Sequence, residues 1–251
     1  MNICKKDKQI SHNVWEFIEH VKNVGEESIT DYLIWQWSEL DSKFKYINVE
    51  KHSKEKENKI SGADFELELW ILTPKYNISF VFQAKKLIKT YDAYRSKLDY
   101  KNGKKRQIDT LINFAKSEKK LPFYFFYSKS DDKTITKCPT IEINKTALFI
   151  TDAYSVNNLI NTHKRKHLSK NEILKLTMPF HCLFCCPLYI DNIGEYIKPI
   201  FPAIRDNIKM KSLDIPPYVS KIATGNIQDL NSFILQNNLY RYRNIGVLDL
   251  R

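Results

Sequence analysis

The 251-residue chain has only six glycines, and they form no Gly-rich loop of the kind that cradles phosphates, which argues against an NTPase. Its five cysteines are unevenly spaced, so no disulfide scaffold is expected. The most apolar stretch, PFHCLFCCPLYI (179–190), falls well short of the roughly 20 residues a bilayer span requires. Residues 1–25 lack the charged start and following apolar segment of a secretory signal. No internal repeat or long low-complexity segment is present. These absences predict a soluble, cytoplasmic protein with no membrane partner.

What the chain does have is basic charge. Forty Lys and Arg against 29 Asp and Glu give a formal charge of +11, which favours a polyanionic partner, nucleic acid first. A lysine-rich composition without function would raise the same total. The distribution decides between them, because residues 85–106 hold nine basic residues and two acidic ones, Asp92 and Asp99. Clustering of this sort is what a phosphate-tracking groove needs. With 43% hydrophobic and 13% aromatic residues, the chain can build one substantial core, or a core with an appended subdomain.

Hydrophobic periodicity sets the expected elements. Val14, Phe17, Ile18 and Val21 predict a helix over 11–22 with Ser11 as its N-cap. Ile29, Leu33, Trp37 and Leu40 predict another over 26–40, and 43–50 reads as a strand. The charged segment 51–62 should be a mobile loop. Strands follow at 63–72 and 78–84 around a turn at Pro74 and Asn77, then an amphipathic helix at 105–117 and a buried strand at 121–128. The order α, β, β, β, α, β closes a core over residues 1–128. Residues 129–251 read as a C-terminal subdomain completing or extending it, with a strand leading into a helix near 147–160 and a short helix at PPYVSKI.

Chemistry concentrates on the two central strands. Strand alternation puts Asp64, Glu66 and Glu68 on one face, with Val81, Gln83 and Lys85 sharing a face of the next strand. Hard oxygen donors of this kind suit Mg²⁺ or Mn²⁺, and a neighbouring ammonium can position an attacking water. Acidic side chains are disfavoured in strands, so the row calls for a reason, although Glu68 on its own reads as part of a solvated face.

In GEESITD (25–31), GADFE (62–66), FQAKKL (82–87), YDAY (91–94), RQIDTLI (106–112) and PFYFFYS (122–128) the chain resembles the PD-(D/E)xK, restriction-endonuclease-like nuclease superfamily. More narrowly, it resembles a bacterial family in that group associated with phage defence. The resemblance implies an α/β fold with a restriction-endonuclease-like αβββαβ core. It implies a Mg²⁺-dependent endonuclease with Asp64 as central metal ligand and Lys85 as catalytic lysine. Gln83 stands where the pattern has Glu or Asp, a loss of one negative charge that Glu66 could make good. The helix carboxylate is Glu26 or Glu27. Lys86, Lys89, Tyr94, Arg95, Lys104, Lys105, Arg106 and Gln107 are the candidate nucleic-acid contacts, with DNA the favoured polymer. A defence effector of this type implies a regulatory or activating protein partner, and a homo-oligomer is left open.

Each feature has a plainer reading. Glu26 and Glu27 could simply oppose a helix macrodipole, and tyrosines beside a core are common without stacking on bases. A non-catalytic nucleic-acid-binding module, or a basic protein-interaction subunit, would keep the groove without turnover. Cys182 and Cys185 form a C-x-x-C pair that could supply half a structural Zn²⁺ site. Their apolar neighbours Phe180, Leu183 and Phe184 favour buried core instead.

Overall fold

The computed structural model describes residues 3–40, 42–50, 65–88, 94–102, 105–138, 145–162, 167–187, 193–207 and 213–251. The expected loop at 51–62 lies outside the described residues, as do Asp64, Lys89, Tyr91 and Lys104. In the first half the elements are α1 (Ile3–His20), α2 (Glu26–Leu40), β1 (Phe44–Asn48), β2 (Phe65–Leu72), β3 (Asn77–Lys86), α3 (Tyr94–Leu98), β4 (Lys101–Asn102), β5 (Lys105–Arg106), α4 (Gln107–Ser117) and β6 (Leu121–Tyr127). The second half adds β7 (Leu148–Asp152), α5 (Ala153–Thr162), α6 (Lys170–Leu174), β8 (Met178–Pro179), α7 (Cys182–Cys185), α8 (Ile193–Ile200), α9 (Pro202–Asn207), α10 (Pro217–Thr224), α11 (Leu230–Gln236) and β9 (Tyr242–Asp249).

The fold is α/β, a seven-stranded mixed sheet in the order β1-β9-β2-β3-β6-β7-β8 with helices on both faces. Strands from the second half therefore belong to the same sheet. The last strand, β9, enters between β1 and β2, antiparallel to the first and parallel to the second. Its Gly246 lies under the ring of Phe44, where an added Cβ would stand 2.8 Å from Phe44 Cζ. Glycine here permits the close approach.

Two apolar layers sandwich the sheet. On one side, Val14 and Ile18 of α1 and Leu33 and Trp37 of α2 cover Leu67, Leu69, Phe80, Phe82, Phe123 and Phe125. On the other, Ile108 and Leu111 of α4, Val156 of α5 and Val219 of α10 cover Val81, Tyr124, Phe126 and Val247. All seven residues of β6 are buried, which is why its apolar run is continuous rather than alternating.

Two expectations need correction at this level. Ser11 is no N-cap: α1 begins at Ile3, and the buried Ser11 Oγ accepts the backbone N–H groups of Ala147 and Leu148 at 3.1 and 3.2 Å. The cysteines do form a disulfide, Cys4–Cys185, joining α1 to α7 across 181 residues of sequence. Among the described residues no helix is long and apolar enough to cross a membrane.

Candidate active site at the open end of the central strands

The antiparallel pairing of β2 and β3, with Leu67 opposite Phe82, brings the start of β2 to the end of β3. β6 runs parallel to β3 and ends beside it, Lys86 opposite Tyr127. The first turn of α2 is fastened across these strand ends. Glu26 Oε1 accepts the backbone N–H of Lys86 at 2.9 Å, and Lys86 Nζ donates to the Val24 carbonyl. One helical turn on, the Thr30 hydroxyl donates to the Glu26 carbonyl at 3.1 Å and lies 2.8 Å from the Tyr127 hydroxyl.

This clamp delivers Glu26 to Lys85. Glu26 Oε2 is 4.0 Å from Lys85 Nζ, whose side chain is only 14% exposed. Burial lowers the Lys85 pKa, while Glu26 and then Glu66 pull it back up and Lys97 adds to the lowering. Gln83, two residues earlier on β3, is buried. Of the two helix carboxylates, Glu26 is the one brought to the lysine. Glu27 points elsewhere, 3.2 Å from Arg243 Nη1 and largely exposed.

The expected single acidic face does not form. Phe65 pairs with Tyr242 and Leu67 with Asn244, but Glu66 and Arg243 between them leave the ladder. Phe65 lies in the α4-side layer and Leu67 in the α2-side layer, so the regular alternation breaks at Glu66. Glu66 meets Arg243 and the acidic side chains of α2, with Arg243 Nε 3.4 Å from Glu66 Oε1. Arg243 also reaches Asp31 at 3.1 Å and Glu50 at 2.6 Å. Burial pushes the Glu66 carboxyl up to about 7, against the pull of Thr30 and Arg243, and Glu27 and Asp31 push it further the same way. Its Oε1 is buried without a hydrogen bond.

Glu68 turns to the opposite face and is fully buried, not solvated. Its Oε1 lies 2.7 Å from Lys120 Nζ and accepts from Trp70 Nε1 at 2.7 Å and the Tyr218 hydroxyl at 2.8 Å. It is a structural anchor, away from Lys85.

The candidate polymer contacts divide. Lys105 and Arg106, with Lys101 and Arg241, line an open groove of about 650 Å³ beside Phe65 and Phe114. Those two rings stack at 4.7 Å, and the Arg241 guanidinium lies over Phe114 at 5.3 Å. Arg106 is already held by Asp99 at 2.6 Å and Asp109 at 3.6 Å. Gln107 opens α4, its N–H donating to the Tyr100 carbonyl. Arg95 sits half-buried on α3. Tyr94 is a correction: at 1% exposure it is core, with no face to offer a base. Lys86 likewise spends its ammonium on Val24. Cys185 leaves the candidate zinc pair, since its sulfur is in the disulfide.

Sequence reasoning missed Arg243, Thr30 and Tyr127. The one available signal was RYRNIG, where two arginines flank a strand start that carries little hydrophobicity of its own.

Residues 3–241 match the model of a family of unknown function (DUF6615). No curated protein and no solved structure matches the chain.

Proposed function

We propose that this chain, which belongs to the DUF6615 family of unknown function, is a metal-dependent nuclease that hydrolyses phosphodiester bonds, with DNA the favoured polymer. The observation carrying the reading is the Lys85 ammonium, nearly buried at a strand end and held by Glu26 with Glu66 close enough to act on it. Taking an ammonium out of water costs more than one ion pair at 4.0 Å returns, so stability is a poor reason to bury a lysine there.

The residues present fit a hard divalent cation. Glu66 Oε1 is buried with no hydrogen bond, and oxygen donors are what Mg²⁺ and Mn²⁺ take. Asp64, Glu66, the Gln83 carbonyl and Glu26 would hold it. A bound ion would supply Lewis-acid stabilisation of the phosphoryl oxygens. Lys85 positions the attacking water and sets its positive charge where negative charge develops on the phosphoryl oxygens. Glu26 fixes that ammonium. As water adds to phosphorus its proton passes to solvent, the bond to the leaving oxygen breaks, and a solvent proton neutralises that oxygen. The groove lined by Lys101, Lys105, Arg106 and Arg241 tracks the backbone.

A role as an antiviral defence effector, restrained by a protein partner, rests on the motif resemblance. A cytoplasmic location belongs to the same proposal, and the Cys4–Cys185 disulfide pulls against it, because reducing compartments disfavour such bonds. A second reading, a nucleic-acid-binding module without turnover, draws on Arg243, whose guanidinium already stands among the carboxylates where a metal ion would sit.

The test is incubation of plasmid DNA, single-stranded DNA and RNA with the purified chain and Mg²⁺, Mn²⁺ or EDTA, beside Asp64→Ala and Lys85→Ala. Metal-dependent cutting lost in both variants is the expected result. Salt-sensitive binding with no cutting under any condition would transfer the assignment to the binding module.

A further inference from the structure

We propose that Cys138, Cys182 and Cys186 form a second, independent metal site, one for a soft thiolate-seeking cation such as Zn²⁺. The three sulfurs lie within 4.8 Å of one another, the one His, Cys, Asp or Glu cluster of this kind among the described residues. Cys138 Sγ and Cys186 Sγ are 3.7 Å apart. Tetrahedral zinc with Zn–S bonds of about 2.3 Å holds its sulfurs about 3.8 Å apart, so this pair already stands at coordination distance. All three are free thiols.

The backbone presents them for this purpose. Cys182 and Cys186 are one helical turn apart on and just after α7, the Cys186 N–H donating to the Cys182 carbonyl at 3.2 Å. Cys138 comes from the segment after β6, fixed there by the Lys137 N–H on the Thr177 carbonyl and by its own N–H on Thr136 Oγ1. Cys182 and Cys138 are buried and Cys186 half-buried, so the ion enters past Cys186. The neighbouring Cys185 is tied to Cys4 and takes no part.

Three thiolates hold the ion, a water or a small exogenous thiol completes the fourth position, and binding releases the thiol protons. The set is all sulfur, whereas the donors around Lys85 are all oxygen, so the two sites select different metals. The cation would staple the segment at Cys138 to α7, which the disulfide already ties to α1. It is a structural ion and leaves the Lys85 chemistry alone.

The experiment uses the full chain without reductant. Thiols are counted first, then the protein is titrated with Co²⁺, whose thiolate charge-transfer band reports ligation, and Zn²⁺ is added to displace it. One equivalent of Co²⁺ is expected, with loss of the band in Cys138→Ser, Cys182→Ser and Cys186→Ser. The Cys4→Ser, Cys185→Ser double variant should keep it. In wild type, which avoids any folding defect of the variants, Zn²⁺ should slow alkylation of Cys186 by iodoacetamide. Three free thiols with no band and no protection would overturn the site. A single free thiol, meaning a Cys138–Cys186 disulfide, would overturn it as well, as would a band surviving in Cys138→Ser. None of these readouts involves cleavage, so the site and the nuclease reading stand or fall separately.

Discussion

Glu66 and Glu68 stand two residues apart on β2, yet they turn to opposite sides of the sheet and meet different cations. Glu68 is fully buried among Lys120, Trp70 and Tyr218, all on its Oε1, and Lys120 in turn donates to the Tyr242 hydroxyl at 2.7 Å. These partners come from β2, α10, the turn before β6 and the start of β9, so one carboxylate ties four stretches of chain together. Glu66 sits at the strand end and shares Arg243 with three other carboxylates, while each glutamate leaves one buried oxygen, Glu66 Oε1 and Glu68 Oε2, without a hydrogen bond. Charge settled inside the sheet holds the fold. Charge at its open end, where one arginine is shared among four carboxylates, remains available to a substrate or an ion.

The largest effect should come from breaking the settled side. Lys120→Ala leaves the Glu68 carboxylate buried without its cation, a loss of about 3–5 kcal/mol. Denaturant unfolding should show it as a large fall in midpoint. The double variant Glu68→Leu, Lys120→Met should recover most of the loss, because a dry apolar pair replaces the charges. A double variant as unstable as the single one would mean that Tyr218 and Tyr242, not the ion pair, carry the network.

Next in size is Lys85→Ala, which should cost about 10²–10³-fold in cleavage, the usual scale for removing one charge-stabilising group from a catalytic site. Its unfolding midpoint should barely move, since an ion pair at 4.0 Å to a partly exposed carboxylate contributes only about 0–1 kcal/mol. The two lysines thus predict opposite profiles, Lys120 moving stability and Lys85 moving rate. A destabilised Lys85→Ala would erase the distinction between the two ends of the sheet.

The distinction was only half legible in sequence. Helix α2 could be read to its ends because its apolar stripe is regular and Glu26 and Glu27 mark its first turn. β3 and β6 were legible for a similar reason, being dense in aromatic residues that fit only a buried strand. α1 was read eight residues short, since its first turns are rich in lysine and face the core mainly through Ile3, Asp7 and Ile10. β9 went unread: Arg243, Asn244 and Gly246 interrupt its apolar residues, and what makes it a strand is the slot between β1 and β2. Alternation placed Glu66 and Glu68 together. It failed because the ladder to β9 skips the Glu66 and Arg243 pair, a tertiary event with no local signature. That Glu26 and not Glu27 reaches Lys85 depends on a contact between residues far apart in sequence, which no spacing rule supplies.

Arg243 offers a smaller but sharper probe. Arg243→Ala should cost about 1–3 kcal/mol, the penalty for leaving a buried carboxylate without its partner. If the nuclease reading holds, Mg²⁺ should restore part of that loss in the variant, because Glu66 and its neighbours then have a replacement cation. Thermal unfolding of wild type and variant with and without Mg²⁺ measures this directly. A variant indifferent to Mg²⁺ would favour the binding module.

The smallest effect is a pH dependence carried by Glu66. Its folded carboxyl sits at about 7 against 4.5 for the unfolded group, chiefly through burial. Between those values the folded protein holds a proton the unfolded chain has released. The stability Glu66 contributes is therefore complete below about 4.5 and is lost as pH rises through about 7. The buried Asp7, also raised to about 7, has the same sign, so wild type must be compared with Glu66→Gln, in which Asp7 is unchanged. The difference in unfolding free energy between the two proteins should shift by on the order of 1 kcal/mol from pH 5 to pH 8, reduced by Arg243 and by water entering the open strand end. Mg²⁺ should bind more tightly as pH rises over this range, since it competes with the Glu66 proton, and the slope should flatten in Glu66→Gln. A slope unchanged by the substitution would remove Glu66 from the ligand set and leave Asp64 and Glu26 to hold the metal between them.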